Sequence, residues 1–248
     1  MSEMVGQVFE TLEGSKCTIT HYENCMKVRV KFLDSYSHST EVEMSKLRKG
    51  SVKNPYARSV FGVGFVGFGR YKRLSLKGVS LEYRAWKDML RRCYDKKFLE
   101  INKSYKGCTV HPDWHNFQNF AEWYVNHESY GLGYHLDKDL LCTGNKIYSA
   151  DTCTMLPREI NNLLPKSDCL RGLYPVGVCL HKREGKYMTS LSRFGKLCFL
   201  GYFDTPEEAF KVFKFAKEMY IKEVANLWVG KVSEEVFDAL ISLEVSHE

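Results

Sequence analysis

The chain runs His135-Leu136-Asp137-Lys138-Asp139-Leu140-Leu141, then Gly144-Asn145-Lys146, and then Asn161-Asn162. It sets an acidic turn, a tight loop and a pair of amides within about one strand–strand–helix unit. Those are groups that can hold one divalent cation against a phosphate, so the stretch reads as a ββα metal site. One residue bears on that chemistry: Lys138, set between the two aspartates. An imidazole exchanges its proton near neutral pH, whereas a lysine does so only where burial or neighbouring cations depress it. Flanked by Asp137 and Asp139, Lys138 is expected to serve as a cation. The plainer alternative for Asp137-Lys138-Asp139 is an ordinary charged turn.

Upstream, Ser80 is placed to cap a helix running to about Tyr94, with Glu82 in its first turn. Trp86, Met89, Leu90 and Cys93 fall on one face, and Arg84, Lys87 and Arg91 line another at i, i+3, i+7. Three cations on one stripe suit phosphates, or are simply solvated. A second helix is expected from Trp114 to about Glu128, burying Trp114, Phe117, Ala121 and Tyr124 and stopped by Gly131 and Gly133.

Downstream, Tyr174–Leu180, Gly185–Leu191 and Lys196–Phe203 read as three strands joined by turns at Arg183-Glu184-Gly185 and Phe194-Gly195. Thr205 then caps a helix with Pro206 at its first position and Glu207-Glu208 in its first turn. Ala209, Phe210, Phe213, Ala216 and Tyr220 repeat on the face that would cover the sheet. A short acidic helix is expected from Glu234 to Leu243, within a tail of residues 231–248.

The first 60 residues read as short strands: Lys16–Tyr22, Met26–Leu33 and Glu41–Met44. In the second, Met26, Val28, Val30 and Phe32 alternate with Lys27, Arg29 and Lys31, a half-buried strand with a basic outer face. Such strands suggest a small SH3-like barrel. Residues 61–79 carry Gly62, Gly64, Gly67 and Gly69 among aromatics. No Gly-Lys-Ser/Thr follows them, so they read as a basic linker that packs through its aromatics. The expected fold class is α+β and multidomain: the β module, a ββα-metal segment over 80–170, a sheet-plus-helix segment over 172–230 and the tail.

Charge is unevenly spread. The 248 residues carry a net +6, but Glu43–Gly107 holds seventeen Lys and Arg against five Asp and Glu, which leaves the remainder acidic. Such a concentration is the footprint of a nucleic-acid partner. Nine cysteines without a Cys-x-x-Cys pair argue for reduced thiols. Met1-Ser2-Glu3-Met4 has no basic or apolar leader, and no apolar run is long enough for a bilayer, so a cytoplasmic protein is expected. A structural zinc on Cys93, Cys108, Cys142, Cys153 and His111 competes poorly with simple buried thiols, because the spacing fits no standard knuckle.

The run Tyr83-x-x-Trp86-x-x-Met89-Leu90-x-Arg92-Cys93-Tyr94, with Tyr105-Lys-Gly-Cys108-x-Val110, Trp114-x-x-Phe117, Leu136-Asp-Lys-Asp139, Gly144-Asn-Lys-x-Tyr-Ser149, Cys153 and Ile160-Asn161, resembles bacteriophage HNH-type, homing-endonuclease-like proteins over about residues 80–165. Gly177-Val178 through Gly185-Lys186-Tyr187, Leu200-Gly201-x-Phe203 and Glu207-Glu208-Ala209 resemble an AP2-type DNA-binding domain, in which the sheet enters the major groove. The resemblance implies Asp137 as the acidic metal ligand, Lys138 at the base position and Asn145 as the loop residue that steadies the turn. Asn161 becomes a further ligand and His135 a substitute base. The cofactor would be one Mg²⁺ or Mn²⁺, and the reaction hydrolysis, by nicking, of double-stranded DNA in an infected host. On the sheet, Lys182, Arg183, Lys186, Arg193 and Lys196 are the implied DNA contacts, with His181, Tyr187 and Ser192 beside them. Arg193 would be suited to guanine and Lys182 and Lys196 to phosphate. Two other readings stay open: a catalytically inactive DNA-binding regulator, and an inhibitor that binds a host or phage protein.

Overall fold

A computed structural model describes residues 4–164 and 174–246. The extreme N-terminus and the join between the ββα and C-terminal segments fall outside the described residues. The chain is a mixed α+β protein with several separate sheets, and it divides into two compact units.

The first unit comprises Met1–Asp95 and Val110–Val125. Strands β1 (Val8–Glu10), β2 (Lys16–Asn24), β3 (Lys27–Phe32) and β4 (Ser39–Val42) pair in sequence order, antiparallel throughout. Period-two alternation puts Val28, Val30 and Phe32 inside with Cys17 and Ile19. Helix α1 (Met44–Arg48) closes over them with Met44 and Leu47. The expected barrel is corrected here: the strands form an open meander, since β1 and β4 each pair with one neighbour only among the described residues. Met26, expected inside, is exposed because the chain turns between Asn24 and Lys27.

The glycine-rich segment is tied to the protein rather than spanning open solvent. Phe65 is buried, donates its N–H to the His115 carbonyl and accepts from the Phe117 N–H. A Cβ on Gly64 would stand 2.4 Å from a Leu90 methyl and 2.8 Å from the Trp86 ring, so glycine there permits close packing. A short hairpin of β5 (Leu74–Ser75) and β6 (Gly78–Val79) leads to α2 (Leu81–Tyr94), capped by Ser80 through the Tyr83 N–H. The stripe of α2 formed by Trp86, Met89, Leu90 and Cys93 is buried. The Trp86 indole N–H donates to the Trp114 carbonyl at 2.7 Å, so this large ring is inside without an unmet polar group.

The second unit comprises Lys96–Thr109 and Asn126–Glu248. It begins with α3 (Lys96–Ile101), a 3-10 turn and the short strand β7 (Thr109–Val110). The helix expected from Trp114 is instead a 3-10 turn, Pro112–His115, followed by α4 (Phe117–Asn126) in the first unit. The break falls where the backbone at 115–117 is pledged to Phe65. Strands β8 (His135–Asp137), β9 (Ile147–Tyr148) and β10 (Thr154–Leu156) and helix α5 (Arg158–Leu163) follow. β8 pairs antiparallel with β10, Asp137 opposite Thr154.

After residue 173 come β11 (Val178–His181), β12 (Lys186–Arg193) and β13 (Lys196–Phe203), an antiparallel sheet in sequence order. Helix α6 (Pro206–Leu227), capped by Thr205, covers one face, and α7 (Glu234–Ser242), capped by Ser233, packs beyond it. One core joins Leu156, Ile160 and Leu163 with Leu191, Phe210, Phe213, Ile221 and Leu240. Gly177 lets β11 approach α6: a Cβ there would lie 2.2 Å from the Phe213 ring.

Candidate functional site

The turn after β8 is held by its own side chains. Asp137 sits at the strand end, 9% exposed, and its Oδ2 accepts the backbone N–H groups of Asp139 (2.9 Å) and Leu140 (2.8 Å). That folds the chain back at once, which is what an aspartate does at the head of a tight turn. Burial pushes the Asp137 carboxyl above the usual carboxylate range, while the two N–H donors pull in the opposite direction.

Lys138 points into the loop. Its side chain is buried, and its ammonium donates to the Asp139 carboxylate and to the Asn145 carbonyl, the latter at 2.8 Å. It lies 5.8 Å from the Tyr148 ring centroid, within cation–π range. Asn145 completes the closure. Its Nδ2 donates to the carbonyls of Lys138 (3.0 Å) and Ile147 (2.7 Å), and its Oδ1 accepts the Ile147 N–H (2.9 Å). Gly144 beside it takes a positive φ of 76°, a conformation costly to other residues. The Thr109 N–H donates to the Lys146 carbonyl, fastening the loop to the chain before it.

The structure therefore brings together Asp137, Lys138, Asp139 and Asn145. His135 is exposed on β8, two residues before Asp137, and has no polar partner among the described residues. Asn161 is half-buried on α5, and its side-chain amide has no hydrogen bond to the turn among the described residues. Asp139 takes the place beside Lys138 that the Asp-Lys-Asp spacing indicates, and Tyr148 is the member that sequence reading missed.

A divalent ion needs several donors turned toward one centre. Here one oxygen of Asp137 is spent on the turn, and Asp139 is neutralised by the neighbouring ammonium. Among the described residues no three His, Cys, Asp or Glu side chains gather as metal ligands. As arranged, the turn is closed by the Lys138 ammonium. Of the cysteines considered for zinc, Cys93, Cys108 and Cys153 are buried and Cys142 is exposed. Burial pushes the Cys153 thiol up to about 12 and raises that of Cys108.

The cations sort into two groups. Arg84, Lys87 and Arg91 are exposed on α2, opposite its buried stripe. On the sheet, Lys186 pairs with Asp204 at 3.1 Å and Arg193 with Glu223. Lys182, Arg183 and Lys196 are exposed and have no ion-pair partner among the described residues. Arg193, implied as a guanine reader, is half-exposed beside the Glu223 carboxylate of α6. Among the described residues no helix is long and apolar enough to cross a membrane. Compared with protein-family models, with curated proteins and with solved structures, the chain matches none.

Proposed function

We propose that the chain, built with a phage HNH-like ββα segment and an AP2-like sheet, binds double-stranded DNA through the cations of α2, and that its Lys138 turn is a structural clasp in a catalytically inactive regulator. The observation that carries the DNA reading is the α2 face: Arg84, Lys87 and Arg91 stand exposed in one row within a segment of net charge +12, seventeen cations against five anions. The Lys138 side chain, already donating to the Asp139 carboxylate and the Asn145 carbonyl, supports the clasp.

The test is fluorescence anisotropy with a labelled duplex across a salt series, alongside a supercoiled-plasmid assay with Mg²⁺, Mn²⁺ or EDTA. Salt-sensitive binding without cleavage is expected. Salt-insensitive or absent binding refutes the DNA reading.

The order β8, β10, α5, with Asp137 at the strand end and Asn161 on the helix, supports a second reading, a metal-dependent endonuclease that nicks duplex DNA. Metal-dependent nicking lost in Asp137→Ala would establish that reading and overturn the clasp.

A further inference from the structure

The face of the C-terminal sheet turned away from α6 is unlike the cationic surface that groove reading uses. Strand pairing sorts the residues. Val178, Thr189, Gly201, Leu191 and Cys198 share the face toward α6, where Leu191 and Val178 join the core. Cys179, Met188 and Tyr202 share the other, with Ser190 opposite Phe199 and Ser192 opposite Leu197. On that open face Leu197 is 76% exposed, Phe199 57% and Tyr202 41%. Phe199 and Tyr202 have ring centroids 5.0 Å apart, and His181 lies 5.2 Å from Tyr202.

Phe199 and Tyr202 are three apart, and in a regular strand they would point to opposite faces. They share one because the register shifts between Thr189 and Ser190: Gly201 pairs with the first and Phe199 with the second, leaving Leu200 as a bulge. Leu200 goes into the core. The result is a row of three rings on one face of an antiparallel sheet, neighbours tilted to one another by 59° and 60°.

Cations gather at the His181 end of the row: Lys182 and Arg183 lie at the β11–β12 turn and Lys186 stands opposite His181, with Glu184 and Asp204 as the nearby carboxylates, while Lys196, opposite Arg193, falls on the α6 side. Exposed rings with cations at one end complement a polyanion whose bases are free to stack, because every base has an aromatic face and every nucleotide a phosphate. A duplex hides its base faces and offers this surface only edges. Resting on the DNA-binding reading above, we infer that this sheet face binds unpaired DNA, stacking about two or three bases on His181, Tyr202 and Phe199.

The test uses the full chain and fluorescence anisotropy with labelled oligothymidine of about twelve nucleotides, oligouridine of the same length, and a blunt duplex. The expected result is tighter binding of oligothymidine than of duplex, weakened about tenfold by Phe199→Ala and by Tyr202→Ala and retained in Phe199→Trp. Duplex affinity should be unchanged in these variants, since it rests on Arg84, Lys87 and Arg91. Binding of duplex alone, or single-strand binding indifferent to both ring variants, overturns the inference and leaves the DNA reading standing. Equal loss for single strand and duplex overturns it too, as does clear preference for oligouridine, which marks an RNA site. A dimer by sedimentation velocity that dissociates in Phe199→Ala assigns the face to a second copy instead. No binding of any DNA removes the DNA reading and the inference together.

Discussion

Asn145→Ala isolates the clasp. The substitution removes three side-chain hydrogen bonds, from Nδ2 to the Lys138 and Ile147 carbonyls and from the Ile147 N–H to Oδ1. A net bond is worth about 1 kcal/mol where water can take over, and this applies at Ile147, which is exposed. Lys138 is buried, so its orphaned carbonyl costs about 1–3 kcal/mol. The total expected loss is roughly 3–5 kcal/mol. Asn145→Asp keeps the acceptor for Ile147 but aims a carboxylate at two carbonyls, and should be at least as damaging. The assay is urea unfolding by far-UV circular dichroism, with hydrogen exchange at the Ile147 amide as a local readout. A loss below about 0.5 kcal/mol with Ile147 protection unchanged would refute the clasp. Duplex affinity should survive, since the α2 cations lie in the other unit.

Other outcomes follow from the same structure. Asp137 has a raised folded-state pKa, so its contribution to stability is present below the ordinary carboxylate pKa and lost as pH rises through the raised value. Asp137→Asn should therefore gain on wild type between acid and neutral pH, while Asp137→Ala leaves two N–H groups unmet and should lose; urea midpoints at both pH values decide it. Replacing Arg84, Lys87 and Arg91 together by Ala should flatten the slope of log affinity against log salt by about 3. A slope that does not move would place the phosphate contacts elsewhere. Gly177→Ala drives a methyl into the Phe213 ring at a φ of 77° and should cost about 1–3 kcal/mol, read from the thermal midpoint. Under native conditions Cys153, buried with its thiol pushed up to about 12, should resist a thiol reagent that labels exposed Cys25 and Cys179 within minutes; equal labelling would contradict the packing.

Where a pattern is local, the sequence reads well. Ser80 and the stripe from Trp86 to Cys93 define α2, and Thr205, Pro206 and the two glutamates open α6, because caps and periodicity act within a turn or two. What depends on distant partners is hidden. The break at Asn116 comes from Phe65, about fifty residues earlier in the chain. The open meander comes from which strand edges remain unpaired, and alternation says nothing of that. At the turn, Asp137 and Asn145 are legible as turn formers, but the engagement of Lys138 with Asp139 and the Asn145 carbonyl follows from where the loop returns. The row of rings on the sheet was missed because a bulge breaks the alternation that would have displayed it.

That bulge has a consequence for uniqueness. The β12–β13 turn, with positive φ at both Phe194 (48°) and Gly195 (77°), has the twist of a tight two-residue hairpin and locks Arg193 opposite Lys196. At the far end Tyr187 faces Phe203, and between these anchors β13 carries one residue more than β12. The surplus residue has to be absorbed somewhere, and each place defines a different sheet with different side chains turned outward. Gly201, at φ 142°, is the neighbour that admits the surplus at Leu200. A side chain at Gly201 would level those alternatives, turning one sheet into a slowly exchanging set of registers, visible as doubled amide resonances along β13.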